Sequence, residues 1–149
     1  TKIYLEESTY EDIVYEGDQI NGLKNGRGVL KKKNGDIIYD GNFKDDKFDG
    51  MGILCLNNGY IYDGNFLAGK KHGRGCLFSD DKKFKFEGNW IDDEKDGYGV
   101  ENFPDGTKYE GYFEKGKKNG KGELYKMLEL KNFLNFQISL LLFFYIFSY

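Results

Sequence analysis

One proline (Pro104), one histidine (His72) and two cysteines (Cys55 and Cys76) are all that this 149-residue chain holds of those three residue types. A catalytic triad or a histidine-rich metal site therefore fails for want of parts. The cysteines have neither the spacing of a zinc site nor the number for a disulfide framework. They stand where aliphatic residues stand in neighbouring segments, so they read as buried reduced thiols, which suits a reducing cytoplasmic compartment. Excess positive charge is missing too. With 22 Lys+Arg against 25 Asp+Glu the formal net charge is −3, so nothing draws the chain globally to a polyanion, and nucleic acid is disfavoured as a partner. No three-residue glycine period is present, which excludes collagen, and 17% aromatic content argues against a disordered low-complexity chain. The abundant residues are 21 Gly, 12 Tyr and 13 Phe, a combination that predicts β-structure with many tight turns.

These residues repeat. Taking an aromatic residue as position zero, segments align from Tyr15, Tyr39, Tyr62, Phe86 and Tyr109, separated by 24, 23, 24 and 23 residues. Glycine follows at offset two in every segment (Gly17, Gly41, Gly64, Gly88, Gly111). A G-x-G follows at offsets eleven and thirteen, as Gly26/Gly28, Gly50/Gly52, Gly73/Gly75, Gly97/Gly99 and Gly120/Gly122. A second aromatic stands at offset four in Phe43, Phe66, Trp90 and Phe113, with Gln19 in its place in the first segment.

Offsets zero, two and four share one face of a strand, because side chains alternate with a period of two. A polar turn of about four residues is expected next, then a returning strand opened by the G-x-G and carrying Leu30, Leu54, Leu77 or Leu124 at offset fifteen. The dipeptides Asn34-Gly35, Asn58-Gly59 and Asp105-Gly106 mark the second turn. Each repeat is thus one β-hairpin. The strand glycines are expected to leave room for a neighbouring ring to lie on bare backbone, each ring needing the glycines of the adjacent repeat.

The pattern resembles the membrane occupation and recognition nexus (MORN) repeat, close to Y-x-G-x-W/F-x-x-G-x-x-x-G-x-G-x-L, over residues 15–125. Departures are local: Asp46 and Asp93 replace the offset-seven glycine, Ser79-Asp80-Asp81 replaces a glycine turn, and Glu101 replaces the leucine, with Phe103 expected to fill its space. The resemblance implies an all-β fold, an elongated single-layer antiparallel meander with an aromatic-lined groove, roughly 45–50 Å long for ten strands. Residues 1–14 are expected to form a partial repeat or leading strand. Similar repeats occur in junctophilins, radial-spoke head proteins, phosphoinositide kinases and a histone lysine methyltransferase. There they scaffold, target or bind, while any chemistry lies in another domain. The implied function is a non-catalytic scaffold holding a protein partner in a ciliary or cytoskeletal assembly. The alternatives are a membrane-tethering or lipid-binding module, or the targeting segment of a larger enzyme such as a phosphoinositide kinase.

The candidate site is the aromatic face: Tyr15, Tyr39, Phe43, Tyr62, Phe66, Phe86, Trp90, Tyr109 and Phe113. A single-layer sheet cannot bury both faces in itself, and exposed apolar surface marks interaction sites, so a helix or peptide of a protein partner is expected there. No cofactor, metal or catalytic residue is read from the sequence. His72 reads as a solvated turn residue. The G-x-G pairs lead into strands rather than opening a helix, which a phosphate loop requires. Asp45-Asp46, Asp80-Asp81 and Asp92-Asp93 lack the alternating ligands of a calcium loop. Lys70-Lys71-His72 and Lys117-Lys118 could meet anionic headgroups, but acidic turns interrupt them, so lipid ranks below protein.

The chain opens at Thr1 without an initiating Met or a signal peptide, so a piece of a longer protein is expected. Glycine is absent after Gly122, and residues 126–149 form a hydrophobic tail, uncharged from Asn132 to Tyr149 and ~27 Å long as a helix. Three readings of this tail compete. The preferred one is a hydrophobic helix covering the terminal repeats; the others are a membrane anchor and a tail foreign to the native protein.

Overall fold

The computed structural model describes residues 12–126, which form one ten-stranded antiparallel sheet with the strands in sequence order. The strands are β1 (Ile13–Ile20), β2 (Leu23–Lys32), β3 (Ile37–Lys44), β4 (Lys47–Cys55) and β5 (Tyr60–Leu67), then β6 (Lys70–Ser79), β7 (Lys85–Ile91), β8 (Glu94–Asn102), β9 (Lys108–Glu114) and β10 (Lys117–Tyr125). Each repeat supplies one hairpin, and each aromatic at offset zero lies within the first strand of its hairpin, as the period predicts. Among the described residues there is no α-helix. The expected hydrophobic helix lies beyond residue 126, outside the described residues. So does the leading segment, apart from residues 12–14, of which Ile13 and Val14 open β1.

The turns within repeats are shorter than expected, with two residues rather than about four. Both residues have positive φ at Asn21-Gly22, Asp45-Asp46, Ala68-Gly69, Asp92-Asp93 and Lys115-Gly116. That conformation matches the right-handed twist of a two-residue hairpin. Asp46 (φ 64) and Asp93 (φ 74) adopt backbone that glycine would take more cheaply, and each is compensated by hydrogen bonds to the preceding repeat. Asp46 accepts from Lys24 N at 2.9 Å and donates its own N–H to Lys24 O at 3.1 Å. Asp93 does the same with Lys71, at 3.0 Å in each direction. The turns are thereby tied in a line along one edge of the sheet. At the opposite edge the glycines of Asn34-Gly35, Asn58-Gly59 and Asp105-Gly106 close three-residue loops, while the loop after Ser79 is one residue longer, with Lys82 (φ 58) in the left-handed position.

The two glycines of each G-x-G serve different ends. The first has positive φ, as at Gly73 (φ +69), and lies in the bulge where pairing jumps from Phe66↔Lys71 to Gly64↔Gly75. The second is a seat. A Cβ on Gly75 would stand 2.6 Å from Tyr62 Cε2 and nearer still to Cζ and Oη. Gly64, paired opposite, would meet the Cα of Gly75 at 2.5 Å. The ring therefore lies on the glycines of its own repeat, not on those of the adjacent one as expected from the sequence.

Candidate functional site

The offset-zero rings are anchored at their tips. Tyr15, Tyr39, Tyr62 and Tyr109 donate their hydroxyls to the backbone oxygens of Asp18, Asn42, Asn65 and Tyr112, at 2.7, 2.9, 2.9 and 3.2 Å. Phe86 has no hydroxyl to donate. The offset-four rings join neighbouring repeats by standing edge-on between two offset-zero rings. Phe43 meets Tyr15 and Tyr39 at 5.2 and 5.1 Å, and Phe66 meets Tyr39 and Tyr62 at 5.4 and 5.0 Å. Trp90 meets Tyr62 and Phe86 at 5.4 and 5.2 Å, and Phe113 meets Phe86 and Tyr109 at 5.1 and 5.3 Å. The nine rings form one continuous T-shaped ladder, the favoured geometry for aromatic quadrupoles. Trp90 also donates Nε1–H to Gly75 O at 3.2 Å, fastening the fourth repeat to the seat of the third.

All nine expected site residues are thus brought onto one face, but not as an open aromatic surface. Eight of them are between 0% and 8% exposed in a single layer, and only Tyr15, on the first strand, is half-buried. Side chains at offset nine roof the ladder. Phe48 stacks on Tyr39 at 3.8 Å and 14°. Lys24 lies over Tyr15, Lys71 over Tyr62 and Trp90, Lys95 over Phe86, and Lys118 over Tyr109, with Nζ 4.5–5.8 Å from the ring centres. The roof follows from the two-residue turn, which places offset nine opposite offset four on the same face, as in Phe43↔Phe48. The four-residue turn expected from the sequence places Lys71 and Lys118 in turns. In the structure they belong to strands β6 and β10 and lie against rings. Burial lowers the pKa of Lys71, with Asp93 acting in the opposite sense.

Between the second and third repeats the roof leaves a depression of about 340 Å³, lined by Phe48, Leu54, Leu56, Tyr60, Phe66 and Leu77, with Lys71 and Asp93 at its rim. Farther along the same face, Glu101 occupies the leucine position itself, so Phe103 does not fill that space. Its carboxylate, 7% exposed as a residue, pairs with Lys95 and with Lys118, the latter at 3.4 Å. Phe103 instead lies against Phe84 and under Lys118.

His72 is a strand residue rather than a turn residue. It stands at offset ten, where Asn25, Asp49 and Asp96 accept the N–H of the next repeat's turn, and its Nδ1 lies 3.8 Å from Asp92 Oδ1. Cys55 and Cys76 are free and half-buried, and burial raises the Cys76 thiol pKa. Among the described residues no three His, Cys, Asp or Glu side chains are grouped so as to hold a metal ion.

No curated protein matches the chain. The MORN repeat family model matches residues 15–37, 39–59, 62–82, 86–108 and 109–126, one match on each hairpin. With the ring seats, the hairpins and these matches all falling in the same register, the chain belongs to the MORN repeat family, a family of binding repeats.

Proposed function

We propose that the chain is a non-catalytic scaffold that holds a helix or peptide of a protein partner on its ring face, within a cytoplasmic assembly of ciliary or cytoskeletal type. The observation that carries this reading is the depression over the second and third repeats. It is concave, walled by Phe48, Leu54 and Leu77, and large enough for one or two apolar side chains. The rings expected to touch the partner act from beneath: their ladder holds the roof side chains in place, and the roof is the surface a partner meets.

Leu77 and its neighbour Cys76 point to opposite faces of β6, so they test the reading cleanly. Peptides selected from a displayed library against the full chain should lose affinity about tenfold or more to Leu77→Glu, which puts a charge in the apolar contact, and little to Cys76→Glu. Binders sensitive only to Cys76→Glu would move the site to the other face. The membrane-tethering or lipid-binding alternative rests on the uncharged tail and on Lys70-Lys71 and Lys117-Lys118. Lys70 and Lys71 are paired with Asp92 and Asp93, so Lys117-Lys118 is the run that keeps free charge, too little to hold the chain on anionic headgroups. A chain ended at residue 125 should therefore stay in solution with anionic vesicles at physiological salt. Strong salt-sensitive co-sedimentation would favour the lipid reading.

A further inference from the structure

Among the described residues Glu101 is the one buried charged side chain. Leu30, Leu54, Leu77 and Leu124 occupy its position in the other repeats. Lys71 lies over its rings with Leu77 at that position because Asp93 of the next turn supplies its carboxylate, whereas Gly116 stands at the matching turn position for Lys95. A largely buried ion pair is seldom more stable than a well-packed apolar side chain of similar volume. Glu101 therefore marks a place where the ring face has been made polar.

The local charges do not cancel. Lys24 is paired with Asp46 at 3.2 Å, and Lys71 with Asp93 at 3.9 Å. Lys95 and Lys118 share the single carboxylate of Glu101, two ammoniums to one carboxylate. Glu101 cannot meet a partner directly, because its side chain is only 9% exposed and each of its oxygens already faces a lysine. Lys95 is covered as well, at 17%, but Lys118 is 41% exposed. What the site offers a bound segment is a positioned, half-exposed ammonium.

We propose that Lys118, held in place by Glu101, takes a carboxylate of the protein segment bound on the ring face, and so fixes that segment's direction along the sheet. The inference rests on the ring-face reading above. The apolar depression lies over the second and third repeats and the ammonium in the fifth. A segment with an apolar anchor and an acidic residue farther along satisfies both in one direction only.

The test uses a displayed-library peptide that binds the full chain and is weakened by Leu77→Glu. Replacing its acidic residue by glutamine should weaken binding about fivefold, the range of a partly exposed ion pair, and the difference should narrow in high salt. Against the Lys118→Ala chain the same replacement should cost nothing, whereas Lys118→Arg, which keeps the charge, should preserve the preference. Melting curves of both variants confirm that β10 is intact. Ring-face binders without an acidic residue, or an acid-to-glutamine penalty that is equal in the parent and Lys118→Ala chains, would overturn the inference and leave the ring-face reading standing. If no selected binder responds to Leu77→Glu, both fall.

Discussion

Gly73 and Gly75 are two residues apart in one G-x-G, yet they should respond to substitution in opposite ways. A Cβ on Gly73 would find its nearest neighbour, Asn65 Cβ, at 3.5 Å, so space is available and the obstacle is the backbone at φ +69. Alanine there should cost about 1–2 kcal/mol, and asparagine, which tolerates the left-handed region, markedly less. At Gly75 the backbone is ordinary and the obstacle is the Tyr62 ring, 2.6 Å away at Cε2 and closer at Cζ and Oη. That ring has 0% exposure, with the edges of Phe66 and Trp90 against it and its hydroxyl tied to Asn65 O. It can yield only by lifting off its seat. Overpacking at about 1–3 kcal/mol, together with a lost hydrogen bond at about 0.5–1.5 kcal/mol, puts Gly75→Ala at roughly 2–4 kcal/mol. Gly75→Asn should be at least as harmful as alanine. Urea unfolding followed through Trp90, the single tryptophan, which is 3% exposed and in contact with Tyr62, measures both sites. Adding Tyr62→Phe to Gly75→Ala removes the closest atom and should recover part of the loss. Equal costs for alanine at both positions, or a tolerated Gly75→Asn, would refute the ring-seat reasoning.

Phe86→Tyr should place a hydroxyl within reach of Asn89 O, as Tyr62 does with Asn65 O, and stabilise the chain by about 0.5–1.5 kcal/mol in the same urea assay. Glu101→Leu should cost about 3–5 kcal/mol in the same assay, since it leaves the covered Lys95 ammonium without its carboxylate; no loss would show that the pair does not hold the roof. Burial raises the phenol of Tyr39 to about 12, and that of Tyr62 rises for the same first cause. Both phenols keep their protons more tightly when folded, so their contribution is intact below pH about 10 and is lost as pH climbs towards the folded value. Alkaline unfolding should therefore set in above pH about 10, and Tyr39→Phe should flatten the profile; an unchanged profile would remove Tyr39 as a cause.

The hairpins were legible because period and parity are carried by residue type: aromatic, glycine, aromatic at offsets zero, two and four, then the G-x-G. The site was legible only to its floor. Reading Lys70-Lys71-His72 as turn residues assumed that charged runs between strands are loops. A two-residue turn with positive φ at Ala68 and Gly69 instead carries Lys71 back onto the ring face. The signal was present, since offset nine shares the parity of the second glycine and the leucine. Taking each ring's seat from the adjacent repeat missed that Tyr62 leans along its own strand, so that its hydroxyl reaches Asn65 O. Asp46 and Asp93 looked like lost glycines. Their meaning lies in bonds to Lys24 and Lys71 of the preceding repeat, 22 residues away, which no local pattern displays.

The claim that the roofed ring face is the binding surface is tested most directly by photo-crosslinking in native extract. A photoreactive amino acid is placed singly at residue 77 or at residue 76 of the full chain, and crosslinked bands are identified by mass spectrometry. Residue 77 lies on the ring face and residue 76 on the opposite face of the same strand. The account predicts a discrete protein adduct from residue 77 that Leu54→Glu diminishes in a chain that still folds, with none from residue 76. The same protein crosslinked from residue 76 and not from residue 77 would contradict it.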